Sequence, residues 1–190
     1  MVITRRLTAL LLAWAASGGA AVISDERIEH YLVAPEALVG QDQRALWSAV
    51  ARHSPISNDG RTFAGHTRWQ VRWGYQYRID GEHCEIIDVT TELNIVITMP
   101  ELFAASAGGG MDQLFAEFYR GLLAHEQLHA DHGRAAAAEI DASLLGFSAH
   151  CERLTHSADS HAKAIADAWG AKDRELDRMT EHGRFPERFR

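Results

Sequence analysis

The chain has 190 residues, 46% of them hydrophobic and 24% charged. That is enough for one domain with a real core, in a composition ordinary for a soluble globular protein. A formal net charge of −7 argues against nucleic acid or an anionic membrane as the main partner.

Arg5 and Arg6 precede the apolar run Leu7 to Ala16, and small residues follow from Ser17 to Ala21. A positive n-region, a short h-region and a small-residue zone read as a secretory signal peptide over residues 1–21. Residues 22–190 are then expected to form a single domain. The run is too short for a comfortable membrane span. No cysteine follows it, so no stable membrane anchor is expected after cleavage, and the product is expected to be secreted or periplasmic. Removing residues 1–21 leaves 17 Lys+Arg against 26 Asp+Glu, a formal charge of −9.

Residues 28–34 read as a first strand. Gln43 to His53 carries Leu46, Trp47 and Val50 at amphipathic-helix spacing. Asn58-Asp59-Gly60 is a turn signal. Trp69, Val71, Trp73, Tyr75 and Tyr77 then alternate with Gln70, Arg72, Gly74 and Gln76, the period of a half-buried strand. Asp80-Gly81 reads as a hairpin turn. The return strand has Ile87, Val89, Leu93, Ile95 and Ile97 on one face, and Pro100 is expected to end it. After Ala104 to Gly110 the chain turns helical from Met111 to about Phe147, with Gly133 as the weak point. A last helix runs from about Cys151 to Met179, with Leu154, Ala158, Ile165, Trp169 and Leu176 inward. Strands followed by helices give an α+β fold: an antiparallel β-ribbon packed on a helical half.

His125, Glu126 and His129 read H-E-x-x-H. Leu114, Phe115, Phe118, Leu122 and Leu128 follow helical spacing around them, so the motif is expected on a helix. Residues i and i+4 share a helix face, so both imidazoles can reach one ion. Glu126 is placed to take a proton from water activated there. A catalytic zinc site needs three protein ligands and one open position. On a straight helix, His132 lies about 10 Å from His125 along the axis, and Glu139 lies about 15 Å past His129. Asp131 projects away from His129. His182 lies beyond the last helix, which can return it opposite the motif. The layout HExxHxxGxxH fails, because His132 and Ala135 stand at its glycine and third-histidine positions. Spacing alone leaves the third ligand open.

Cys84 and Cys151 are the two cysteines, and in an oxidising compartment they suggest one disulfide between the hairpin and the helical half. Neither has a C-x-x-C partner, which disfavours cysteine ligation of zinc. His30, His53, His66, His83, His150, His156 and His161 are scattered and read as surface residues. Trp69 and Trp73 read as core.

From about His30 to Gly183 the chain resembles the bacterial predicted secreted zinc-dependent proteases, a family long catalogued as a domain of unknown function. The matching stretches are Asp59 to Phe63, Thr67 to Tyr75, Cys84, Thr98-Met99-Pro100, His125 to His129, Cys151 and Leu176 to Gly183. The resemblance implies a zincin-like fold, one Zn2+ ion, His125 and His129 as ligands, and Glu126 as catalytic base. The family's Thr-x-His-Gly pattern falls on Thr180 to Gly183, which makes His182 the first choice of third ligand over His132 and Glu139. Leu176 stands where the family commonly has tyrosine before Asp177. The implied activity is hydrolysis of a peptide or protein substrate. Tyr31, Tyr75, Tyr77 and Tyr119 are the phenols available to an oxyanion, and Asp131 and Asp177 are the carboxylates available to orient ligand imidazoles. The competing expectation is a non-catalytic zinc-binding envelope protein or interaction module. Glu126, which has no duty in a purely structural site, favours the enzyme.

Overall fold

In the computed structural model, residues 22–33, 43–58, 60–102 and 110–183 are described. The segment read as a signal peptide, residues 1–21, lies outside them. The fold is α+β. Strand β1 spans Val22–Val33, helix α1 Gln43–His53, and the two-residue strands β2 and β3 Ser57–Asn58 and Arg61–Thr62. They are followed by β4 (His66–Asp80), β5 (His83–Leu102), α2 (Gly110–Leu144), β6 (Ser148–His150) and α3 (Cys151–Thr180).

Strand β5 is central, with β1 and β4 as neighbours and β6 pairing with its start; β2 and β3 form a separate antiparallel pair. Gly81 and Glu82 connect β4 to β5, and Gly81 takes φ +60, which costs glycine little. A two-residue connection joins only antiparallel neighbours.

By contact density the described chain divides into two compact units. The first holds the chain up to Asp25, Gln70–Asn94 and His132–Lys172; the second holds Glu26–Trp69, Ile95–Asp131 and the chain from Asp173. In the first, Cys84, Ile86 and Val89 of β5 pack with Ile140, Leu144, Leu154, Ala158 and Ile165 of the helices. Trp73 donates its indole N–H to Asp159 at 3.1 Å. Strand β6 pairs antiparallel with β5, Ala149 opposite Cys84, and the Cys151 N–H reaches the Glu82 carbonyl at 2.9 Å. That pairing sets Cys151 beside Cys84, and the two form a disulfide with Cα atoms 4.9 Å apart. In the second unit, Leu46, Val50, Ile95, Ile97, Met99 and Leu122 are buried, and Trp47 meets Phe118 edge to face at 5.2 Å.

Several expectations need adjustment. Strand β1 starts earlier than residue 28. Pro100 does not end β5, which runs on to Leu102; proline removes one donor and ends a strand only where the ladder needs it. Ile87 is exposed while Ile86 is buried, yet Val89, Thr91 and Leu93 point inward. The inward parity therefore changes between Ile86 and Val89, which one extra residue in a strand produces. Gly133 does not interrupt α2, which is continuous for 35 residues. Trp69 and Trp73 are half-buried, and each indole N–H has a carboxylate partner. No helix among the described residues is long and apolar enough to cross a membrane.

Candidate metal centre

The H-E-x-x-H residues lie on α2, and all three are buried: His125 is 2% exposed, Glu126 3% and His129 6%. Opposite them stands the end of α3, which carries Asp173 and Asp177, also four residues apart. His129 Nδ1 meets Asp173 Oδ1 at 2.9 Å, and His125 Nε2 meets Asp177 Oδ1 at 3.2 Å. The pairing advances along one helix as it retreats along the other, as antiparallel neighbours require. Each pair uses the i, i+4 face of its own helix.

Three atoms converge. His125 Nε2 and His129 Nε2 are 3.2 Å apart, and Asp177 Oδ1 lies 3.2 Å from the first and 3.1 Å from the second. Donor atoms of a tetrahedral zinc at ~2.0–2.1 Å stand about 3.3–3.4 Å from one another. The observed triangle is close to that size before any ion is considered.

The hydrogen bonds behind the rings set their tautomers. Asp173 accepts from His129 Nδ1–H, leaving Nε2 as the lone-pair atom of the neutral ring. Thr180 spends its proton on the Leu176 carbonyl at 2.8 Å and accepts the Gly183 N–H at 3.1 Å. Its remaining lone pair faces His125 Nδ1 at 3.4 Å, so His125 also presents Nε2. Two imidazole lone pairs and a carboxylate oxygen thus face each other across little more than 3 Å. Such a triangle is repulsive unless a proton or a cation sits within it.

The electrostatics agree. Burial works against a charged His129, but hydrogen bonds to Asp173 and Asp177 override it and push the ring up to about 10 in the absence of metal. Burial would raise Asp177, yet the contacts with His125 and His129 hold it well below the usual carboxylate range. Asp173 is itself held in place, since the Trp69 indole N–H donates to its Oδ2 at 2.6 Å.

Glu126 is raised by burial, against the pull of His125, Thr67 and His129. The Thr67 hydroxyl lies 2.8 Å from its Oε2 and 3.0 Å from its backbone carbonyl. Gly65 leaves room for the carboxylate, because a Cβ there would stand 2.8 Å from Oε1. Gly183 does the same for the His125 ring, where a Cβ would stand 2.8 Å from Cδ2.

Helix α3 ends in a turn that L-residues rarely adopt: Glu181, His182 and Gly183 take φ +52, +57 and +77 in succession. The His182 N–H closes it on the Asp177 carbonyl at 2.9 Å. Left-handed backbone at non-glycine residues costs about 1–3 kcal/mol each and gathers at functional sites. Here it sets the His182 ring against Phe63, centroids 4.4 Å apart, with Nδ1 3.3 Å from Asp177 Oδ1.

His125, Glu126, His129 and His182 are therefore brought together. The donor atoms of His125, His129 and Asp177, however, lie close enough together to hold one metal ion. His182 stands one contact further out, 41% exposed. Of the alternatives, His132 packs on Trp169 at 5.4 Å and Glu139 accepts the Trp169 indole N–H at 2.8 Å. Asp131 is exposed. Among the tyrosines, Tyr31 donates to the Ala64 carbonyl at 2.7 Å, Tyr119 meets His30 at 3.1 Å, Tyr75 donates to Asp159 at 3.5 Å and Tyr77 is exposed. Asp173 and Thr67 were not singled out from the sequence. A readable signal for Asp173 exists, since Asp-x-x-x-Asp near the end of one helix matches the His-x-x-x-His of another.

The chain belongs to the family described as "Bacterial protein of unknown function (DUF922)", which matches residues 34–183. No curated protein and no solved structure matches it significantly.

Proposed function

We propose that this DUF922 member is an exported zinc-dependent peptidase. His125, His129 and Asp177 would hold one zinc ion, and Glu126 would be the general base. The observation that carries the reading is the convergence of two imidazole nitrogens and one carboxylate oxygen at 3.1–3.2 Å, with both rings locked to present Nε2. Two nitrogens and one oxygen suit zinc, and three protein ligands leave a position open. Bound there, the metal would lower the pKa of water towards neutrality and polarise a carbonyl.

The chain's own residues supply the rest. Glu126, desolvated and raised, is a better base than a free carboxylate. It takes the proton of the attacking water and delivers it to the leaving amine. Thr67 fixes the orientation of its carboxylate. Asp173 and Thr180 keep the two imidazoles in the ligand tautomer. His182, 3.3 Å from the Asp177 carboxylate and partly exposed, is a donor available to an incoming carbonyl. The disulfide is consistent with export, as is the n- and h-region pattern of residues 1–21.

Metal analysis of the mature protein tests this directly. About one zinc per chain is expected, kept in Glu126→Gln and His182→Ala and lost in Asp177→Ala. Glu126→Gln should lower hydrolysis of a casein or fluorogenic peptide substrate by about 100-fold or more. Retained zinc with unchanged hydrolysis in Glu126→Gln sinks the enzyme reading. Full zinc in Asp177→Ala with loss in His182→Ala moves the third ligand to His182.

A further inference from the structure

We propose that a cavity beside the metal centre selects substrates by a bulky apolar side chain next to the scissile bond, a specificity that rests on the peptidase reading above. The cavity has a volume of about 460 Å³, within the range of small-ligand sites. Two short segments form much of its wall, and both run straight into the site. Phe63 and Ala64 line it, and the next residue, Gly65, abuts the Glu126 carboxylate. Glu181 and His182 line it, and the next residue, Gly183, abuts the His125 ring. One residue step is 3.8 Å of chain. The cavity is thus the neighbouring subsite of the same centre.

Its walls state what it takes. Trp47, Ala51, Phe63 and Ala64 supply its apolar lining, and Ser48, Thr62 and His182 stand among them. The two aromatics are already braced, Trp47 against Phe118 and Phe63 against His182. The Tyr31 hydroxyl pins the Ala64 carbonyl at 2.7 Å, so the wall does not collapse inward easily. The charged residues of the lining, Arg61 and Glu181, are exposed and of opposite sign, so the rim favours neither acidic nor basic side chains. Burial of apolar area against Trp47 and Phe63 is the source of selection.

The test uses a panel of quenched fluorogenic peptides that differ at single positions, carrying Phe, Leu, Gly, Asp or Lys. Zinc-loaded wild type should cleave next to Phe or Leu with kcat/KM at least tenfold above the Gly, Asp and Lys peptides. Ala51→Trp fills the cavity and should abolish that preference, bringing kcat/KM for the Phe and Leu peptides down to that for the Gly peptide. Ser48→Trp, at an exposed lining position, serves the same purpose should the first variant fold poorly. Binding is read separately by calorimetry on zinc-loaded Glu126→Gln, where the same order of affinity is expected. Cleavage or binding indifferent to side-chain size, or a preference untouched by both tryptophans, overturns the proposal. Selective binding without any cleavage by wild type upholds the cavity and defeats the peptidase reading instead. Neither binding nor cleavage defeats both.

Discussion

Replacing Gly183 with alanine separates two costs imposed by the turn at the end of α3. At φ +77 any L side chain is strained, at about 1–2 kcal/mol. The new methyl would also stand 2.8 Å from His125 Cδ2 and 2.9 Å from Cγ. Carbon atoms pack at ~3.5–4.0 Å, so the ring has to retreat by about 0.7 Å. It is buried at 2% exposure, and Thr180 and Asp177 grip it at both nitrogens. Overpacking of this kind costs about 1–3 kcal/mol. Together the costs come to roughly 2–5 kcal/mol, or about 4–20 °C in Tm for a chain of this size. Gly81→Ala is the control, because Gly81 has φ +60 and nothing within 4 Å of the added Cβ. It should pay only the first cost. Thermal denaturation of both variants in EDTA gives the difference, which is the His125 contact alone. Repeating the melts with saturating zinc adds a second readout. The ring's retreat carries Nε2 out of the triangle, so the zinc-dependent rise in Tm should shrink in Gly183→Ala and stay intact in Gly81→Ala. The reasoning fails if Gly183→Ala melts with Gly81→Ala and gains the full zinc increment.

Other expectations follow from the same contacts. In the metal-free protein His129 is pushed up to about 10. The stability it contributes is fully present below its unfolded value of about 6.5 and is lost as pH rises towards 10. The Tm of EDTA-treated protein should therefore decline from pH 6.5 to 9.5; a flat profile there counts against the His129–Asp173–Asp177 contacts. Protons compete with metal for that ring, so zinc binding at pH 7.5 should release about one proton. Calorimetry in buffers of different ionisation enthalpy measures it, and no buffer dependence contradicts the assignment. Reduction of Cys84–Cys151, which spans a sequence separation of 67, should lower unfolding free energy by about 4 kcal/mol on loop-closure entropy. Urea titrations with and without reductant, with Cys84→Ser/Cys151→Ser as the permanent form, give the value. A shift under 1 kcal/mol would argue that native strain offsets the entropy.

What the sequence disclosed about the site divides along one physical line. His125, Glu126 and His129 were legible because their geometry is local: one helix repeat places them whatever the rest of the chain does. The hairpin and the two long helices were legible for the same reason, each carrying its own period. The partners across the interhelix space were not local. Which residue of α3 faces the motif depends on the rotation of that helix about its axis and on where it ends. His182 and Asp177 differ by five positions, and both reach the site, one through a side chain on the helix and the other through a left-handed turn after it. A family pattern that names Thr180, His182 and Gly183 marks the whole turn. Three of its positions have distinct duties. Thr180 sets a tautomer, Gly183 makes room for a ring, and His182 lines the neighbouring cavity. On the ligand set proposed above, this short pattern at a helix end supports the site around His125 and Asp177. The ligand set proposed above rests on a different spacing, Asp173 and Asp177 four residues apart opposite His129 and His125.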